Sequence, residues 1–280
     1  MSILFGCHGS TWELDYDKET DYLGHIISVV EKAGFKGIDV QVSLLGRFKN
    51  APELLKEELA KRGLELAALT LPFSWSNHQE TEEERKLADY FMEYLKHFPN
   101  AIMNIAPRVG LNRDHLLERQ RDIIQCANAL AKRAYDQGIV CSFHPSSPPT
   151  SYFRTEEDYK VLFEGLDSRY IGYTPDAGHI AFGGMDVVNI YKKYLPWIKH
   201  VHFKDASFKP EWKTMGEGAI DFPQIVSMLA EHCYKGWIMV EEETKESEAN
   251  PDNAVVNIGD YMRNHLAPIV KGVTVKGVTS

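Results

Sequence analysis

Four side chains set the chemistry open to this sequence: His144, Asp176, His202 and Glu241. Each stands at the end of a short apolar run, and they follow one another at intervals of 32, 26 and 39 residues. Two imidazoles and two carboxylates brought to one point make a divalent-metal site. The mixed nitrogen and oxygen set suits Mn²⁺, Co²⁺, Zn²⁺ or Fe²⁺ better than Mg²⁺ or Ca²⁺. Manganese or cobalt is the first expectation, with zinc, iron or magnesium also open.

The stretch Ile198–Asp205 shows why these positions read as a site. A half-buried strand alternates apolar and polar residues. This one instead finishes on His202, Lys204 and Asp205, which reads as a ligand beside a charged pair that orients it. Other polar residues close similar runs: His8, Asn104, Arg108, His179 and the triplet Glu241, Glu242, Glu243. Glu242 and Glu243 read as a solvated edge, although a shift of pleat would exchange Glu241 with Glu242. His8 reads either as a hydrogen-bonded structural histidine or as a substrate contact. Trp12, Phe73 and Trp75 read either as a sugar-stacking wall or as rim packing.

The elements that must position these groups alternate along the chain. Strands are expected over 3–8, 36–42, 64–71, 101–106, 139–144, 170–176, 198–205 and 236–243. Helices are expected over 18–34, 52–63, 81–98, 112–138, 155–166, 186–195, 222–233 and 253–270. Their apolar residues recur at helical spacing, as with Leu87, Phe91, Tyr94, Leu95 and Phe98. Proline opens the helix at Pro52, and glycine closes helices at Gly34 and Gly63. Eight strands alternating with eight helices predict an α/β protein, a closed (β/α)8 TIM barrel. One domain over 1–270 is expected, with 271–280 as a surface tail. A doubly wound sheet would want a glycine-rich turn after the first strand, and Gly6-Cys7-His8-Gly9 does not supply one. In a barrel the strand ends share one face, so the four ligands converge there.

Composition sets outer bounds. With 280 residues, 44% hydrophobic and 25% charged, the chain can bury a large core without disulfides or metal. The net charge of −9 disfavours a nucleic-acid partner. The cysteines Cys7, Cys126, Cys141 and Cys233 form no CxxC pair. They read as reduced thiols of a cytoplasmic protein, since the first strand begins too early for a targeting segment. No apolar run is long enough to cross a membrane.

Four motifs occur in order: Thr174-Pro-Asp-Ala-Gly-His179, His200-Val-His-Phe-Lys-Asp205, Gly216-Glu-Gly-Ala-Ile-Asp-Phe222 and Tyr234-Lys-Gly-Trp-Ile-Met-Val-Glu-Glu-Glu243. Together they resemble the xylose-isomerase-like barrel family of sugar phosphate isomerases and epimerases, and most nearly its inosose dehydratase and inositol-catabolism branch. The specific part spans residues 138–245; the first half resembles the family only in architecture. The resemblance carries the family's metal ligands onto His144, Asp176, His202 and Glu241. Epimerases of this family usually place glutamate at the end of strand five, where this chain has His144-Pro145. That departure points away from a two-carboxylate epimerase and toward the dehydratase branch. The endonuclease IV branch would need a trinuclear cluster and a basic track.

The resemblance implies a metal-dependent lyase acting on a keto-cyclitol such as 2-keto-myo-inositol, by abstraction of an α-proton and loss of water. A keto-sugar isomerase or epimerase and a 3-keto-glycoside lyase are the alternatives. Base candidates are Glu241, His179 and Glu217. Lys204 is expected to stabilise the developing oxyanion, and His8 and His179 to shuttle protons. Substrate contacts are expected from His8, Trp12, Trp75, Arg108 and Lys204. Homo-oligomers are common in the resembled family, so a homo-oligomer is an allowed expectation; no stretch marks an interface. No glycine-rich anion nest follows the last two strands, which disfavours a phosphate-bearing substrate.

Overall fold

The structure, a computed structural model, describes residues 3–272. Eight short apolar runs become parallel strands: β1 (Leu4–His8), β2 (Gly37–Gln41), β3 (Glu65–Phe73), β4 (Ile102–Pro107), β5 (Cys141–Phe143), β6 (Ile171–Tyr173), β7 (Val201–Phe203) and, after a hairpin, β10 (Trp237–Val240). The hairpin pairs β8 (Asp205–Ala206) with β9 (Trp212–Lys213) outside the main sheet. The main sheet runs β6-β5-β4-β3-β2-β1-β10-β7. Parallel bridges from Tyr173 to Ile198 and from Asp176 to His202 span the remaining gap between β6 and β7. The sheet thus curls into a single TIM-barrel domain ringed by helices.

The helices follow the crossovers: α1 (Leu23–Lys32), α2 (Pro52–Lys61), α3 (Glu82–Leu95), α4 (Leu116–Tyr135), α5 (Glu156–Gly165), α6 (Ala177–Phe182), α7 (Val187–Lys193), α8 (Phe222–Glu231), α9 (Lys245–Ala249), α10 (Pro251–Tyr261) and α11 (Ala267–Gly272). A π turn over Met262–Leu266 joins the last two. Thr81 with Glu84, and Thr155 with Asp158, form capping boxes that start α3 and α5. Gly34 lies at φ +80°, the left-handed conformation that ends α1.

Local chemistry moves several boundaries from where periodicity sets them. α1 begins five residues later than expected because the preceding residues are bonded elsewhere: the Thr20 backbone N–H donates to Ser43 O, and Asp21 Oδ1 accepts from the Arg47 backbone N–H and Nε. α4 begins late because Asn112 caps its own turn and His115 sits at φ +53°. The seventh strand stops at Phe203, since Asp205 pairs with Lys213 in the hairpin. α6 and α9 are additional short helices in loops that periodicity leaves unassigned. α11 carries regular structure to Gly272, into the expected tail; the rest of the tail lies outside the described residues.

The barrel interior is layered. A plug of Ala67, Trp237 and Met239, packed by Leu4, fills the end where the strands begin. A Cβ on Gly37 would lie 2.5 Å from the Trp237 ring, so this plug requires glycine there. Above it the inward positions turn polar: Asp39, Thr70, Asn104, Ser142, Thr174, His200 and His202 are all buried. Polar groups there need partners, and those partners lead to the site.

Candidate active site

The C-terminal strand ends bring the four expected ligands together. His144 follows β5 directly, Asp176 caps α6 beyond β6, His202 lies within β7 and Glu241 follows β10. None is more than 8% exposed. His144 Nε2 lies 3.7 Å from Asp176 Oδ2, and His202 Nδ1 lies 3.7 Å from Glu241 Oε1. Ligand atoms of Asp176, His202 and Glu241 all lie within 4.8 Å of one another; those of His144, Asp176 and His179 form an overlapping group. Among these groups His144 Nε2, Asp176 Oδ2 and His202 Nδ1 are buried without a hydrogen-bond partner. Orphaned buried acceptors are costly. Converging nitrogen and carboxylate lone pairs of this kind fit a divalent cation.

A residue outside the expected set anchors this cluster. Asp39, on β2 and wholly buried, accepts from His202 Nε2 at 2.9 Å and from His200 Nε2 at 3.0 Å. Burial would raise its pKa, but His8, His200 and His202 outweigh that and hold it well below the usual carboxylate range. Burial likewise opposes protonation of His202, yet its bond to Asp39 and the nearby Glu241 carboxylate push it up to about 10. Burial and Asp39 act on His200 too, and there burial wins, lowering it to about 4. An acid at an inward position of the run Gly37–Gln41 was the available signal for Asp39: a buried strand tolerates a carboxylate only with partners.

Lys204 is the second centre of charge. It is 1% exposed and donates to Glu243 Oε1 at 2.5 Å, with Glu241 Oε1 at 3.5 Å and Asp176 Oδ2 at 3.8 Å. Its ammonium also lies over the Trp212 ring, 4.6 Å from the centroid. Burial alone would lower its pKa; the carboxylates around it raise it instead, so it stays an ammonium. Burial, reinforced by Lys204, lowers His179 to about 3 and keeps it neutral. His179 Nδ1 is 2.8 Å from Ser147 Oγ, and its Nε2 is 3.5 Å from Lys204 Nζ.

The acids next to these residues do not form a solvated edge. Glu243 lines the cavity beside Lys204, and burial raises its pKa. Glu242 is 3% exposed and accepts from Thr214 and Thr244. Nor does Asp205 pair with Lys204. It accepts the backbone N–H groups of Ala206, Gly216 and Gly218 at 2.8–3.0 Å, so it organises the following loop.

A cavity of about 400 Å³ opens over the cluster. His8, Arg108, His144, His179, His202, Lys204 and Glu241 line it as expected, joined by Ser10, Tyr16, Gln41 and Glu243. Ser10 donates to Glu241 Oε2, and His8 Nδ1 lies 3.3 Å from the same oxygen. Arg108 forms a two-point pair with Asp17, at 3.0 and 2.7 Å, joining two loops at the rim. Tyr16 and Gln41 carry no motif by themselves; the loop and strand that bring them in are visible only in three dimensions.

Three expected site residues lie elsewhere. Trp75 is fully buried and stacked on Phe73, with ring centroids 4.6 Å apart, which makes this pair packing and not a sugar wall. Trp12 directs its indole N–H to Asp252 at 2.8 Å and ties the first loop to α10. Glu217 is exposed on the outer loop, between the two glycines whose N–H groups Asp205 holds.

Comparison with known proteins places this geometry in a family. A family model described as a xylose isomerase-like TIM barrel matches residues 27–265. The inosose dehydratase of Bacillus velezensis is 30% identical over 302 aligned positions, covering 95% of this chain and 97% of that one. That of Bacillus licheniformis is 27% identical, covering 94% and 96%. Among solved structures, the IOLI protein with a bound zinc atom superposes with a TM-score of 0.74 at 17% identity, covering 97% of this chain and 98% of that one. The chain belongs to the xylose isomerase-like TIM barrel family, and it is an enzyme of lyase or isomerase type.

Proposed function

We propose that this protein is a divalent-metal-dependent dehydratase of a neutral keto-cyclitol, of the kind represented by 2-keto-myo-inositol. The carrying observation is the buried set His144, Asp176, His202 and Glu241, in which His144 Nε2, Asp176 Oδ2 and His202 Nδ1 lack partners and the two carboxylates lie 3.8 and 3.5 Å from the Lys204 ammonium. Relatives named inosose dehydratase over nearly the full chain support the same reading. The four residues would hold the ion, which supplies Lewis-acid polarisation of a ketone and so acidifies the neighbouring carbon.

The rest of the chemistry belongs to the side chains. Lys204 stays charged and offers its ammonium to the oxygen on which negative charge develops. Glu243, which burial makes more basic, takes the role of α-proton acceptor for which sequence alone offered Glu241, His179 and Glu217. Glu241 is held by Ser10, His8 and Lys204 and serves chiefly as a ligand. His179, neutral and anchored by Ser147, orients the departing hydroxyl, which leaves with the proton that Glu243 removed from the carbon. One proton leaves the carbon, one joins the hydroxyl, and water departs.

Two features favour this reading over an epimerase and over acidic substrates. Glu241 and Glu243 both follow β10 and contact the same lysine, so they stand on one wall and not on opposite faces of a carbon. Both cations that line the cavity have carboxylate partners, Arg108 with Asp17 and Lys204 with Glu243. Neither is left free for a substrate carboxylate or phosphate.

The reading is tested by incubating the protein with 2-keto-myo-inositol and Mn²⁺ or Co²⁺ in deuterated water. Loss of water from the substrate, abolished by chelation and by Glu241→Gln, is expected. Epimerised or isomerised product without water loss would replace the dehydratase reading by its alternative.

A further inference from the structure

Below the candidate ligands lies a buried polar chain for which the proposed reaction has no use. Asp39 Oδ2 receives both His200 Nε2 and His202 Nε2 across the barrel interior. Its other oxygen, Oδ1, accepts from Thr70 Oγ1 at 2.9 Å. Asn104 Nδ2 donates to Thr70 Oγ1 at 3.0 Å, and Thr174 Oγ1 donates to Asn104 Oδ1 at 2.8 Å. Ser142 Oγ, 2.6 Å from Thr174 Oγ1, is left as the donor that starts the series. All seven residues are at most 1% exposed.

The direction of these bonds is informative. Each hydrogen from Ser142 through Thr174, Asn104 and Thr70 points toward Asp39, and the series ends on an ionised carboxylate that can only accept. Both oxygens are therefore committed, and the carboxylate cannot rotate without stranding buried donors. His200 and His202 are two residues apart on one face of the seventh strand, so both reach it. His202 must then keep its proton on Nε2. Its Nδ1 has no hydrogen-bond partner and lies 3.7 Å from Glu241.

We infer that Asp39 is the positioning residue of this centre: it fixes the tautomer and ring orientation of His202 so that Nδ1 is the metal ligand, while the Ser142–Thr70 series and His200 brace the carboxylate. The inference rests on the metal-site reading given above. Carboxylates behind a ligating histidine raise its basicity and hold its ring, and their loss weakens metal binding by about 10- to 100-fold.

The test uses full-length, isotope-labelled protein and the cadmium ion alone, a spin-active probe. Spin coupling between cadmium and His202 Nδ1, together with a slowly exchanging Nε2 proton, is expected. Coupling through Nε2 overturns the role of Asp39 and leaves the metal site standing; no coupling to His202 overturns both. In parallel, Asp39→Asn should weaken cadmium affinity by about 10- to 100-fold, and Thr70→Val, which removes only the brace, by less. A folded Asp39→Asn protein with unchanged affinity and unchanged Nδ1 coupling would overturn the inference. If Asp39→Asn does not fold, the coupling measured in the unaltered protein decides.

Discussion

Lys204 Nζ lies 2.5 Å from Glu243 and 3.5 Å from Glu241, deep in a barrel where a lone ammonium would be expelled. The two glutamates follow one strand and flank one cation. On the proposed reading this triplet divides the labour of the site: one acid for the ion, one for the proton, and a fixed positive charge between them.

Replacing that charge separates chemistry from metal binding. Lys204→Met should lower turnover of the keto-cyclitol by roughly 10²- to 10³-fold, the range for removal of one oxyanion-stabilising group. Bound metal should remain near its original level. Steady-state kinetics with elemental analysis checks both, and a variant that loses metal in parallel with activity would make Lys204 a structural member of the ion site.

Metal removal should also destabilise the fold. An ion bound at a hundredfold excess over its dissociation constant adds about 2.7 kcal/mol of stability. Chelation should therefore lower the melting temperature of the unaltered protein by several degrees. Asp176→Asn, already short of a ligand, should show little further change.

On the proposed reading the rim pair of Arg108 and Asp17 governs charge selection. Asp17 is largely exposed, so the pair contributes little to stability. Asp17→Asn should leave the neutral ketone reaction within about threefold while strengthening inhibition by a cyclic keto acid, because Arg108 becomes available to a carboxylate. Inhibition constants for the acid and its neutral amide, compared in both proteins, check this.

Trp75 distinguishes packing from substrate contact. Trp75→Ala should cost about 3–5 kcal/mol of stability, as expected for a large buried aromatic. KM of the folded fraction should stay unchanged. A rise in KM without loss of stability would return Trp75 to the sugar wall.

The fold was legible because each strand is an apolar run and each helix carries its own punctuation, as with Thr81, Thr155 and Gly34. The convergence of the candidate ligands was legible for a related reason: in a parallel barrel, strand ends share one face, so His144, Asp176, His202 and Glu241 had to meet. Asp39 was harder to see, since it lies mid-strand and acquires meaning only from two histidines on the far side of the barrel. Glu243 and Glu217 show the same limit. Which of two acids near a strand end faces the cavity depends on the loop, and Asp205, by gripping Gly216 and Gly218, leaves Glu217 on the outer surface. Among the described residues no helix is long and apolar enough to span a bilayer.

The measurement closest to the central claim is the metal content of the purified protein beside that of His202→Ala, after both are exposed to manganese, cobalt and zinc and dialysed. One divalent ion per chain in the unaltered protein, lost in the variant while the fold persists, is the predicted result. An unaltered protein that retains no ion, or a variant that retains it fully, would contradict the site assembled from these four strand ends.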